Sequence, residues 1–179
     1  MKYLAPIWLM ISCCWFIGIR PANESLVLFA QAYVNHQEIG PNRSPHIDHW
    51  NSRLGIPLGS SWCATFAAAG LDSAQAVFPP VRSAVAQHYI VKESIPAGRV
   101  AGGLEVPPGT LVVWKRGESW SGHVEITEHA WKGPRGQTIG GNTSPGYEGS
   151  QWDGSGVWRK NRRIDPTAYF RITHFTLVY

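Results

Sequence analysis

The sequence predicts an α+β domain in which N-terminal helices pack on an antiparallel β-sheet. Apolar residues recur at close to helical spacing between Glu24 and Glu93, and from Pro107 onward short β-rich runs alternate with Gly-containing turns. Composition agrees, since 19 Gly, 13 Pro and 9 Trp against 2 Met favour tight turns and short strands over long helices. At 179 residues, 44% hydrophobic and 16% charged, the chain suits one domain with its own core and is neither disordered nor of low complexity. The net charge is +4, and Arg159, Lys160, Arg162 and Arg163 form its only dense basic run. No nucleic-acid partner is expected, because such binders gather their charge into a stripe; a polyanionic polymer fits equally well.

The first element is the leader. Met1 and Lys2 give a positive start, and Tyr3 to Ile19 then runs without a charge to Arg20. That is short of the roughly 20 residues a spanning helix needs. Residues 1–22 are therefore expected to be a signal peptide or an N-terminal membrane anchor, with the folded domain over residues 23–179. Met10-Ile11-Ser12-Cys13 loosely resembles a lipoprotein cleavage box, although Trp15, Phe16 and Ile17 stay apolar where a lipoprotein turns polar. Arg20 stands in the wrong place for a clear small-x-small site before Ala22, so retention and cleavage both stay open.

In the folded part, Leu26, Leu28, Phe29, Ala32 and Tyr33 predict a helix over residues 24–36, capped by Asn23 and stopped by Gly40. Residues 40–61 are rich in Pro, Gly, Asn and Ser and predict a long ordered loop rimming a site. A second helix is expected over 62–76, capped by Ser60 or Ser61 and weakened at Gly70. A third is expected over 80–93, with Val81, Ala84, Val85, His88 and Tyr89 on one side. Strands are predicted over 111–115, 123–130, 137–141, 157–163 and 172–179.

Cysteine usage points to chemistry. Cys13 and Cys14 lie in the leader, so the folded part holds only Cys63 and no disulfide can form there. In Gly59-Ser60-Ser61-Trp62-Cys63-Ala64-Thr65-Phe66 this thiol falls in the first turn of a predicted helix. The dipole and free N–H groups there favour the thiolate and activate a nucleophile; the alternative is one more small buried residue. Ser121-Gly122-His123-Val124-Glu125-Ile126 delivers His123 to the start of a strand. Alternation puts His123 and Glu125 on one face, and Val124 and Ile126 on the core face. An imidazole holds a thiolate charged and later protonates a leaving amine. Thr138-Ile139-Gly140-Gly141-Asn142-Thr143-Ser144 ends a strand with Asn142, suited to fix the His123 tautomer. Glu125 is the rival, beside His123 rather than behind it, and a plain turn residue is the bland alternative for Asn142.

The ordered set W-C-A-x-F at Trp62 to Phe66, P-G-T-L-V-V-W at Pro108 to Trp114, G-H-V at Gly122 to Val124 and G-N-T at Gly141 to Thr143 resembles the CHAP (cysteine, histidine-dependent amidohydrolase/peptidase) family. His123 follows Cys63 by 60 residues and Asn142 follows His123 by 19, in matching order and spacing. The resemblance covers about residues 23–179. It implies a papain-like fold that cleaves amide bonds of peptidoglycan, as an N-acetylmuramoyl-L-alanine amidase or a peptide endopeptidase. It also implies an exported, periplasmic or extracellular protein, monomeric and without a cofactor. Carried over, Cys63 attacks, His123 acts as base and then acid, and Asn142 orients His123. One departure is Gly140, where many relatives have Glu two residues before the Asn, so the third member stays open between Asn142 and Glu125. The D-x-D loop by which some relatives bind calcium is missing before Cys63, so no metal is expected. The alternative function is a non-catalytic cell-wall-binding or envelope interaction protein on the same fold, for which Gly140 is the main support.

Two other features stand apart. His46, Asp48 and His49 are close enough to converge on a metal, although a capped turn explains them as well. Trp120, Trp131, Trp152 and Trp158 suit either stacking on sugar faces or packing.

Overall fold

The computed structural model describes residues 20–146 and 154–179, so residues 1–19 of the leader, with Cys13 and Cys14, and Trp152 lie outside the described residues. Four α-helices and a six-stranded antiparallel sheet make up an α+β domain: α1 (Ala22–Ala32), α2 (Pro45–Arg53), α3 (Cys63–Ser73), β1 (Ile95–Pro96), α4 (Ala97–Ala101), β2 (Leu111–Arg116), β3 (Gly122–Thr127), β4 (Arg135–Thr143), β5 (Gly156–Arg163) and β6 (Phe170–Thr176). The strand order is β1-β6-β2-β3-β4-β5. None of these helices is long and apolar enough to cross a membrane.

Strand alternation divides the core in two. Leu111, Val113, Val124, Ile126, Ile139 and Val157 face α1, α2 and α3, with Leu26, Ile47, Trp50 and Phe66 packed against them. Val112, Trp114, Ile172 and Phe175 point to the other side, under Val100, Val106 and Trp131. The five predicted strands form with boundaries displaced by a few residues, and β1 and α4 are additions.

Three helical expectations change. The first helix begins after Pro21 and ends at Ala32; Asn23 is no cap, its amide instead donating to the Pro108 carbonyl at 3.0 Å. The expected loop over residues 40–61 contains α2, because Ser44 accepts from the Ile47 N–H at 3.2 Å and Pro45 sits at N1 with its φ already helical. The helix expected over residues 80–93 shrinks to a 3-10 turn, Ala86–Tyr89. Side chains take the backbone partners there: Arg82 donates to the Ala76, Pro79 and Val81 carbonyls, and the Tyr89 hydroxyl receives the Ser83 N–H and donates to carbonyls.

Helix α3 meets both β3 and β4. These strands pair only at Ile126↔Ile139 and Thr127↔Thr138, and they part toward Gly122 and Thr143. The start of α3 is seated at that divergence. A Cβ on Gly141 would lie 2.8 Å from the Trp62 ring and 2.9 Å from Phe66, so only glycine admits this approach.

Candidate active site

The thiol is positioned by the segment before it. Trp62 is fully buried, packs tilted against Trp50 and edge-on to Phe66, and donates its indole N–H to Glu38 Oε1 at 2.8 Å. Asn51 of α2, also fully buried, donates to the Ser60 carbonyl at 3.3 Å and accepts from the Thr65 hydroxyl at 2.7 Å. The chain entering Cys63 is thus tied to α2 on one side and to the first turn of α3 on the other.

Neither Ser60 nor Ser61 caps α3. Trp62 occupies the cap position with no side-chain bond to the helix, and Ser61 lines the cavity in front of Cys63. No side chain therefore caps the first-turn N–H groups, and that of Ala64 turns to the thiol itself. Burial works against ionisation of Cys63, but the His123 charge, its hydrogen bond, and hydrogen bonds from the Val124 and Ala64 backbones outweigh it. The thiol is held below its ordinary value.

His123 is 2% exposed, and its ring meets the Trp114 ring edge-on at 5.6 Å. Its Nε2 lies 3.0 Å from Glu125 Oε1, which leaves Nδ1 as the nitrogen for Cys63. Burial disfavours the imidazolium, yet the Cys63 thiolate first and the Glu125 carboxylate second raise its pKa to about 9.

Glu125 has no exposed side-chain surface. Arg162 grips it with both ends of the guanidinium, Nε to Oε2 at 2.9 Å and Nη2 to Oε1, and the Thr138 hydroxyl donates to Oε2. Burial opposes this charge, but Arg162 and His123 prevail and hold the carboxyl well below the carboxylate range. Arg162 also lies over the Trp114 ring, 5.7 Å from its centroid. Sequence reasoning missed Arg162 and Thr138; alternation along β5 through the basic run carries the only signal for Arg162.

Asn142 stands elsewhere than expected. It adopts φ +54 where the β4–β5 register shifts between Gly140 and Thr143, and it is 7% exposed. Its Oδ1 has no hydrogen-bond partner among the described residues, and it lines a cavity of about 290 Å³ with Ser61, Cys63, Trp120, His123 and Phe170. The group on His123 Nε2 is Glu125, beside it on the same strand. That side-by-side placement suffices because glycine at 140 leaves the carboxylate room to lean along the strand.

The remaining candidates disperse. Asp48 pairs with Arg43 at 2.6 Å, His46 stacks on Trp50, and no His, Cys, Asp or Glu cluster among the described residues is arranged to hold a metal. Trp131 is core, with its N–H on the Gly133 carbonyl at 2.9 Å, and Trp158 is half-buried. Trp120 is 78% exposed on the rim of the cavity. Its turn is braced by Gln87, whose amide donates to the Ser119 and Ser121 carbonyls at 2.7 and 2.8 Å.

A thiol whose ionisation is favoured, an imidazole and a buried carboxylate in line, opening on one cavity, can attack an acyl carbon and return a proton to its leaving group. Comparison of the chain with family models, with curated proteins and with solved structures finds no match.

Proposed function

We propose that this protein is a cysteine-dependent amidohydrolase or peptidase of the CHAP type on a papain-like fold, exported to act on peptidoglycan. The observation that carries the reading is the contact chain Cys63–His123–Glu125–Arg162, which opens on one cavity at the thiol and borders a second at Arg162. A packing cysteine needs no charged partner. The Cys63 thiolate attacks the amide carbon, and negative charge develops on the carbonyl oxygen near the first-turn N–H groups of α3. As the carbon–nitrogen bond breaks, His123 gives its proton to the departing amine and leaves a thioester on Cys63. His123 then takes a proton from water, the resulting hydroxide adds to the thioester, and the thiolate departs with a free carboxylic acid formed. Glu125 keeps the imidazole in its tautomer and supports the imidazolium, and Arg162 with Thr138 hold Glu125. Asn142 presents its amide to the substrate side of the cavity.

The test is release of new amines from purified peptidoglycan by the full-length protein, beside Cys63→Ala and His123→Ala, with mass spectrometry of the fragments. Release by the parent and loss in both variants is the expected result, and fragment masses name the bond. No release under reducing conditions across several wall chemistries would favour a binding role.

A further inference from the structure

The cavity in front of Cys63 is not isolated. Phe170 lines it and also lines a larger cavity of about 520 Å³, whose other walls include Trp114, Gln137, Arg135, Arg162 and Arg163. Trp114 touches both ends of this path, since its ring lies against His123 as well. The second cavity is strongly basic, and no carboxylate lines it among the described residues. Arg162 is engaged with Glu125. Arg135 and Arg163 stand directly opposite each other in the β4–β5 register, an arrangement that like charges disfavour unless an anion lies between or beside them. Asp165 is near enough to Arg163 to feel its charge, but its Oδ1 is taken by the Thr167 hydroxyl and N–H at 2.7 and 3.0 Å.

We infer that this basic cavity is a substrate subsite that receives a carboxylate-bearing stretch of the peptide whose amide lies over Cys63. The inference rests on the proposed hydrolase reading and adds the substrate class: acidic peptides, in preference to the same peptides with carboxamides. Two guanidiniums present paired N–H donors that match a carboxylate, and Gln137 and the aromatic walls supply the neutral contacts a peptide backbone needs. The position follows from Phe170, because a chain leaving the thiol along that wall enters the cavity.

The experiment uses full-length protein carrying Cys63→Ala, so that substrate is bound and not consumed, and calorimetric titration with two matched wall-type peptides, one with free side-chain carboxylates and one with carboxamides. The expected result is tighter binding of the acidic peptide, weakened by added salt. Arg135→Gln with Arg163→Gln should lower that affinity about tenfold and leave the carboxamide affinity unchanged. Both arginines are exposed, so the variant folds, which circular dichroism checks. Equal binding of the two peptides, equal losses for both, or no binding of either would overturn the subsite. Amine release by the parent protein is scored separately, so hydrolysis without acid preference sinks the subsite alone, and absence of hydrolysis sinks the parent reading.

Discussion

The Glu125 carboxylate occupies the volume that a side chain at Gly140 would need: a Cβ there would lie 2.5 Å from Oε1 and 2.7 Å from the carboxyl carbon. With glycine at 140, the carboxylate from the neighbouring strand fills that space.

Gly140→Ala should displace Glu125 from His123 Nε2. About 1–3 kcal/mol of stability is expected to go with the overpacking, with a fall in kcat of about tenfold or more as the imidazole loses its orientation. Thermal unfolding and amide hydrolysis, measured on the same preparation, check both parts. Wild-type kcat in a folded Gly140→Ala protein would contradict the role given to Glu125.

The pH dependence follows from two opposite shifts. Cys63 is lowered, so its thiolate persists below the usual thiol range, and His123 is raised to about 9, so its imidazolium persists up to there. The ion pair should therefore extend to lower pH than an unpaired thiol allows, and kcat/KM should be bell-shaped with its alkaline limb near pH 9. Glu125→Gln removes one of the charges that raise His123, so that limb should move to lower pH. Alkylation of Cys63 by iodoacetamide across pH reads the same pair independently of turnover.

Arg162→Met leaves Glu125 buried without its main partner. Breaking a buried pair of this kind costs about 3–5 kcal/mol, so a large fall in denaturation midpoint is expected. The same group sets the acid limit: a carboxyl depressed in the fold stabilises it above the unfolded value of about 4.3, and that contribution is lost as pH falls further. Urea midpoints from pH 7 to pH 3 should decline in the parent and decline less in Arg162→Met.

Asn142→Ala separates substrate contact from histidine orientation. Because Glu125 holds Nε2 and Asn142 lines the cavity, kcat/KM should fall about tenfold to a hundredfold while the alkylation rate of Cys63 stays unchanged. Glu125→Gln should change both, and a parallel change in Asn142→Ala would return it to the position behind His123.

Asn51→Ala cuts the tie between α2 and the segment entering Cys63. The Thr65 hydroxyl keeps the Trp62 carbonyl as acceptor at 3.1 Å, but the tie to Ser60 is lost, which should cost about 1–3 kcal/mol. A drop in thermal midpoint of about 2–4 °C per kcal/mol is expected for a chain of this size, with slower thiol alkylation.

Much of this was legible in the residues. Helical spacing before residue 107 and alternation after it predict the α+β order, because burial on one face imposes those periods whatever the partner. Cys63 at a helix start, and His123 and Glu125 on one strand face, follow from the same local rules. Helix α2 escaped because only Ile47 and Trp50 among its inward positions are apolar, with Asn51 buried by hydrogen bonds instead. The residues 80–93 mislead because Arg82 and Tyr89 satisfy the backbone that a helix would have bonded internally.

The choice between Asn142 and Glu125 belonged to the tertiary structure. Which atom meets Nε2 depends on how far β3 and β4 part, on a register shift that turns Asn142 toward the cavity, and on the empty space at Gly140. Arg162 enters the site from a strand two places away, at a sequence distance of 37 residues from Glu125. Sequence alone determined the kinds of groups and the faces they occupy, since those depend on neighbours along the chain. Their contacts were decided by strand register and packing, which join residues that no local period relates.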